Sequence, residues 1–355
     1  MKKSELFYVG GYKGKDSQCL HLCEYRTQEA AIEILESYEI DNASYLCFSH
    51  DRQYLYTVIE VGNYKGHLGG GVAAYAIEKD GMLRFINEVF SEGADPCHLS
   101  VSPDGKNLYV ANYSGGSTII FELLPTGGIG EKNRLIEHKN FGPASRTVPG
   151  RQEAPHAHYI QALCVNGALS LWACDLGIDT MLVMSEAGEE LARFKAPDGF
   201  GPRHLAFHPS LQKVYLVGEM SCSVIAFEYS FDTEFRLGAS KEVPVLSSEI
   251  KSTCAAIRVS PDGNYLLVSN REEGEGSVSV LGLDSAGEII GLEGVVPIAG
   301  HCPRDFVFSP AGDKVFVANQ DSDMISVFDW SNTASLTASK VALKIQKPTC
   351  ILFQI

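Results

Sequence analysis

One pattern recurs along the chain: an apolar run with every second position inward-facing in character, a tight turn, and a second apolar run ending on a polar residue. The clearest copy is Cys97-His98-Leu99-Ser100-Val101, then Ser102-Pro103-Asp104-Gly105, then Leu108-Tyr109-Val110-Ala111-Asn112. It returns as Ile257-Arg258-Val259, Ser260-Pro261-Asp262-Gly263 and Leu266-Leu267-Val268-Ser269-Asn270. A third copy reads Phe306-Val307-Phe308, Ser309-Pro310-Ala311-Gly312 and Val315-Phe316-Val317-Ala318-Asn319. Weaker copies span 46–60, 159–175 and 205–219. The period is two, the spacing of strands and not of helices. Asp-Gly supplies residues that tolerate the positive φ of a hairpin turn. Another β-branched or aromatic run follows, at 117–121, 277–280 and 325–328. Residues 181–194 predict two strands about Ala187-Gly188, although Glu186, Glu189 and Glu190 also fit a short helix. Residues 126–155, rich in Gly and Pro, predict the longest irregular insert.

The polar residues that close the copies fall at 60, 112, 175, 219, 270 and 319, at intervals of 52, 63, 44, 51 and 49. A seventh copy is split across the chain ends. Pro348-Thr349-Cys350-Ile351-Leu352-Phe353 has the character of a first strand, and Leu6-Phe7-Tyr8-Val9-Gly10 that of a second. A period near 50 built from short strands predicts an all-β fold, a seven-bladed β-propeller forming a single domain over 1–355. Pairing the N- and C-terminal strands would close the ring and remove exposed sheet edges.

Composition narrows the function. Of 355 residues 45% are hydrophobic, an ordinary globular share. No apolar run approaches the ~18 residues needed to span a membrane. Lys2 and Lys3 are followed by no apolar segment with a small-residue cleavage site, so the start of the chain does not read as a secretory signal. Acidic residues outnumber lysine and arginine 44 to 29, a net charge of −15 that disfavours nucleic acid and anionic lipid as partners. The ten cysteines include no C-x-x-C, and Cys19 and Cys23 come nearest to one. Cys47, Cys97, Cys164, Cys174, Cys254 and Cys350 lie in apolar stretches, where a free thiol packs as a small buried hydrophobe. Reduced thiols in a cytoplasmic protein are expected.

In a propeller blade the residue leading into the first strand and the residue leaving the second open on one face. The lead-in positions are Ser44, Cys97, His158, Arg203, Ala255, Arg304 and Thr349. The exit positions are Gly10, Glu60, Asn112, Asp175, Glu219, Asn270 and Asn319, with Tyr113, Arg271 and Gln320 just beyond. These rings hold His, Arg, Glu and Asp, while the opposite turns hold ordinary turn residues. Arg203, Arg271 and Arg304 bring fixed positive charge to an acidic chain, which suits a small anionic ligand. Substrate-binding candidates are therefore His156, Asn112, Asp175, Arg304, Gln320 and Glu60. Asn270 and Asn319 can equally well satisfy backbone groups of the following turns, and Arg304 can pair with Asp305. In Arg151-Gln152-Glu153-Ala154-Pro155-His156-Ala157-His158 two histidines two apart share one side of a strand. A zinc site there finds no third ligand motif, whereas an imidazole beside Glu219 or Asp175 could serve as a base near neutral pH. His208, before Pro209, and His204 read as structural.

Pro155-His156-Ala157-His158, Asp175-Leu176-Gly177-Ile178-Asp179, Gly201-Pro202-Arg203-His204 and Pro303-Arg304-Asp305-Phe306 together resemble the seven-bladed lactonase propeller family. That family includes bacterial 6-phosphogluconolactonases and fungal carboxy-muconate cyclases, and the similarity runs over about 6–353. The resemblance implies a catalytic set of His158, Arg203, Glu219 and Arg271, with His156 able to take the place of His158. It implies a hydrolase acting on a sugar δ-lactone such as 6-phosphogluconolactone, without cofactor or metal. Two alternatives stay open: a cyclase acting on a carboxylated muconate through the same arginines, and a ligand-binding propeller without turnover. A divalent cation on Glu60, Asn112, Asp175 and Glu219 is a subsidiary possibility that the nearby arginines oppose.

Overall fold

A computed structural model describes residues 4–15, 17–331 and 334–354; Lys2 and Lys3 lie outside the described residues. Seven antiparallel sheets follow one another, each with the strands of one repeat in meander order. The first is built from Leu46–Phe48, Tyr54–Ile59, Gly71–Ile77 and Leu83–Phe90. The second comprises Pro96–Val101, Asn107–Asn112, Ser117–Leu123 and Ile129–Glu137. The third comprises Ala157–Val165, Ala168–Asp175, Thr180–Met184 and Glu190–Lys195. The fourth begins with Pro202–Phe207 and Lys213–Gly218, the fifth with Ser252–Val259 and Tyr265–Glu272, the sixth with Pro303–Phe308 and Lys314–Asn319. In the seventh, the C-terminal Pro348–Phe353 pairs antiparallel with the N-terminal Ser4–Gly11, so the two chain ends share one sheet as the split repeat predicts.

The turn chemistry explains why the repeats fold alike. The Ser102 hydroxyl donates to Asp104 and accepts the N–H of Lys106 and Asn107, while Gly105 takes φ +74°. Ser260 and Asp262 repeat the arrangement, with Gly263 at φ +76°. Both hairpins are thereby locked in register by a serine that satisfies the first N–H of the returning strand.

The described chain divides into two compact units. The first comprises Met1–Glu39, His204–Tyr229 and Gly238–Ile355; the second comprises Ile40–Arg203 and Ser230–Leu237. In the first, Phe7, Tyr25, Phe316 and Phe353 form an aromatic cluster with ring centroids 5.0 to 5.7 Å apart. In the second, Tyr56, Val58, Leu99, Val110, Ile119 and Phe121 make an aliphatic core.

Two sequence expectations change and one is met. Residues 126–155 are not one irregular insert, because Ile129–Glu137 is the outer strand of the second sheet; the irregular segment runs over 138–156. The 181–194 stretch resolves to two strands around Gly188, without a helix. Cys164 is exposed instead of buried, because it lies one residue before the end of its strand, beside the Asn166-Gly167 turn. All ten cysteines are free. No helix among the described residues is long and apolar enough to cross a membrane.

Candidate functional site

Backbone irregularity marks the lead-in positions. In the second sheet Pro96 pairs with Asn112 and His98 with Ala111, so Cys97 is an extra residue with no register partner. His158 is the extra residue between Ala157 and Tyr159, Arg304 between Pro303 and Asp305, and Thr349 between Pro348 and Cys350. These four first strands thus carry a β-bulge at their starts. A bulge re-aims the side chain it inserts, and bulges concentrate next to active sites for that reason.

The first unit holds the charged pair of Glu219 and Arg271. Glu219 follows the strand Lys213–Gly218 and is 1% exposed; its Oε1 lies 3.1 Å from Arg271 Nη2. Arg271 is partly exposed, and the same Nη2 donates to the Cys254 carbonyl at 3.0 Å. The Cys254 N–H in turn donates to the Glu219 backbone carbonyl at 2.8 Å, so Glu219 and Arg271 are also linked through the backbone of Cys254. A carboxylate this buried is tolerable only with such a partner. Two thiols flank the pair. The Cys222 thiol is drawn below the usual thiol range, first by its hydrogen bond with Cys254, against the effect of burial, and with help from Ser252 and the Arg271 charge. Burial pushes the Cys254 thiol well above that range. In the sixth sheet Arg304 donates to Tyr12 Oη at 2.6 Å and to Gln320 Oε1 at 3.4 Å, and its guanidinium stacks 5.0 Å from the Tyr12 ring. Asp305 is engaged by Arg258 at 2.9 Å, and the backbone N–H of Ile351 donates to its other oxygen at 3.3 Å.

The second unit gathers the histidines. The ring of Tyr113 stacks on His156, with centroids 4.5 Å apart and planes 14° apart, and meets His158 edge-on at 5.6 Å. Both imidazoles therefore contact the Tyr113 ring. His156 Nδ1 lies 3.1 Å from the Tyr113 carbonyl, which can only accept, so Nδ1 carries the proton. Its Nε2 makes no hydrogen bond and has Glu153 Oε1 3.5 Å away. Glu60 accepts the Ser44 hydroxyl, uniting a lead-in and an exit position of one sheet. Arg203 is buried in Pro202–Phe207.

Two expected ligand contacts are corrected. Asp175 is fully buried, and its Oδ1 accepts the N–H groups of His156, Gly177 and Ile178. Its Oδ2 lies 2.8 Å from His138 Nδ1, while His138 Nε2 faces Thr118 Oγ1 at 3.0 Å. Asp175 therefore holds the backbone of the histidine segment and is not available to a ligand. Asn112 is also fully buried, its Nδ2 donating to Ser91 O and Ser117 Oγ. Its placement is structural. Asn270 and Asn319 likewise donate to Ser277, Ser279 and Ser326. With Asp175 and Asn112 so committed, the subsidiary cation set loses two of its four ligands, and no group of three or more His, Cys, Asp or Glu among the described residues could hold a metal ion. His208 bonds the Gly263 carbonyl through Nε2 and receives the Ser210 and Leu211 N–H groups at Nδ1, a structural role as expected.

Residues that the sequence reading did not single out include Tyr12, His138 and the Cys222 thiol. Tyr12 had a signal, being two residues past the exit position Gly10. His138 had none, because it sits in a segment without repeat character.

Seven meander sheets, one of them shared by the two chain ends, with bulged lead-in strands carrying His158 and Arg304, define a β-propeller. The sequence profile described as Lactonase, 7-bladed beta-propeller matches residues 6–353, and the chain belongs to that family. The fold class is the all-β, seven-bladed propeller expected from the repeat. The chain is 31% identical over 362 residues to the 6-phosphogluconolactonase of Bacillus subtilis (strain 168), covering 98% of this chain and 97% of that one. It is 30% identical over 337 residues to the 6-phosphogluconolactonase of Formosa agariphila, covering 90% and 91%. Among solved structures, the periplasmic gluconolactonase of Pseudomonas aeruginosa aligns with a TM-score of 0.89 at 27% identity, over 99% of both chains.

Proposed function

We propose that the chain hydrolyses an anionic sugar δ-lactone, 6-phosphogluconolactone being the substrate. The observation that carries this reading is the Glu219–Arg271 pair, a buried carboxylate coupled to a partly exposed guanidinium in a family of lactonases. In the proposed reaction a water oxygen bonds to the lactone carbonyl carbon and the ring C–O bond then breaks. One water proton ends on the released hydroxyl, and the product is the open-chain acid. His158 or Glu219 takes the proton from the attacking water. An imidazole is the better matched base near neutral pH, and Glu219 is paired with Arg271. Arg203 and Arg271 stabilise the oxyanion that develops on the carbonyl oxygen and hold anionic substituents of the sugar. Glu60, Arg304 and Gln320 contribute polar contacts to the sugar, and His156 stands beside His158. Ten free thiols support action in a reducing, cytoplasmic setting.

Replacing Arg203 or Arg271 by Met is expected to lower kcat/KM for 6-phosphogluconolactone by about 10²-fold or more, the usual cost of losing one oxyanion donor. Unchanged kinetics in both variants would discredit the site.

A further inference from the structure

We propose that Arg151, grouped with Tyr113 and His156, forms the subsite that takes the acidic substituent of the lactone, a phosphate monoester or a carboxylate. The proposal rests on the lactonase reading above and extends it to a residue outside the expected set.

Arg151 belongs to the irregular segment 138–156, yet its place is fixed. Its neighbour Gln152 is fully buried and donates from Nε2 to the Leu176 carbonyl at 2.9 Å and to Asp179 Oδ1 at 2.7 Å. Gln152 Oε1 accepts the Val148 N–H at 3.1 Å, and its carbonyl accepts the Arg146 N–H at 2.9 Å. Asp179, itself fully buried, also receives the N–H groups of Gly199 and Gly201 and the Ser145 hydroxyl. A segment tied at so many points loses little further freedom when a ligand binds, which is what a preorganised contact requires.

From that anchor the Arg151 guanidinium reaches Tyr113 Oη, with Nε at 3.4 Å and Nη2 at 3.3 Å. Both contacts are at the long end of the hydrogen-bond range. Tyr113 is stacked on His156, whose Nε2 is buried and makes no hydrogen bond. A guanidinium fork and a phenol hydroxyl therefore meet beside the stacked Tyr113–His156 pair. Both are donors to phosphate or carboxylate oxygen, and the fork matches a bidentate oxyanion. Glu153, exposed and 3.5 Å from His156 Nε2, is the group an entering anion displaces.

The test compares Arg151→Met and Arg151→Lys with the wild type on 6-phosphogluconolactone, a carboxylated lactone and neutral glucono-δ-lactone. In Arg151→Met, the fall in kcat/KM is expected to be at least tenfold larger for the acidic lactones than for the neutral one, with Lys restoring part of it. Whichever acidic lactone suffers most identifies the group recognised. Calorimetric titration with 6-phosphogluconate, the product, is expected to show at least tenfold weaker binding to Arg151→Met. Equal losses on all three lactones together with unaltered product binding would overturn the proposal. If the wild type opens no lactone yet Arg151→Met still weakens 6-phosphogluconate binding, the lactonase reading falls and the subsite stands.

Discussion

Asp175 and His21 show how burial assigns opposite duties to ionisable residues in one fold. Asp175 accepts three backbone N–H groups and lies against His138 Nδ1, and in doing so it fixes the backbone that presents His156. The sequence placed Asp175 at the right strand end but could not tell an inward carboxylate from a ligand-facing one, since both end the same strand. His21, in Gln18–Arg26, is the reverse case: burial lowers its pKa from 6.5 to about 4, a Gln18 backbone hydrogen bond only partly opposing it, and its Nδ1 lies 2.8 Å from Ser37 Oγ. Folded protein therefore keeps His21 neutral while the unfolded chain takes up a proton below pH 6.5. The unfolded state binds more protons in this window, so stability falls as pH drops from 6.5 towards about 4. The contribution is on the order of 2–3 kcal/mol at its lower end. Urea midpoints at pH 6.5 and pH 4.5 should converge in His21→Gln relative to wild type; an identical pH dependence in both would refute this assignment.

Bulged first strands are the element on which the site depends. The repeat located Cys97, His158, Arg304 and Thr349 by counting back from the turns, without any sign that each is an extra residue in its ladder. A one-residue slip in pairing is invisible to a pattern of period two. The exit positions were legible as polar, but their packing was not. Gly300 illustrates the constraint: a Cβ there would lie 2.5 Å from Asn319 Cγ and 2.9 Å from its Cβ, so the buried amide needs a glycine against it. Gly300→Ala should cost about 2 kcal/mol or more through overpacking. Gly291→Ala, in the outer strand Ile289–Pro297 with no heavy atom within 4 Å of the added Cβ, should stay within ~0.5 kcal/mol. Equal urea midpoints for the two variants would show that the asparagine packing is not tight.

At the scale of the molecule, the seven-fold repeat made the architecture readable, because each copy carries its own turn chemistry and the split copy states how the ends meet. What escaped was the 138–156 segment, which has no repeat partner and is held by single contacts such as Gln152 to Asp179. The two compact units divide inside strands: between Arg203 and His204 in Pro202–Phe207, and between Tyr229 and Ser230 in Ser223–Phe231. Independent domains part in exposed linkers, and a strand does not melt by halves. We propose that 1–355 behaves as one domain, so calorimetry should record one unfolding transition; two resolved transitions would contradict this. The most direct test of the whole account is the initial rate on freshly generated 6-phosphogluconolactone, corrected for spontaneous opening, with Glu219→Gln and His158→Ala beside the wild type. The account predicts enzymatic opening by the wild type and a loss of at least about 10²-fold in kcat/KM in Glu219→Gln, with a comparable loss in His158→Ala if the imidazole is the base. Opening no faster than the spontaneous rate, or wild-type kinetics in both variants, would contradict it.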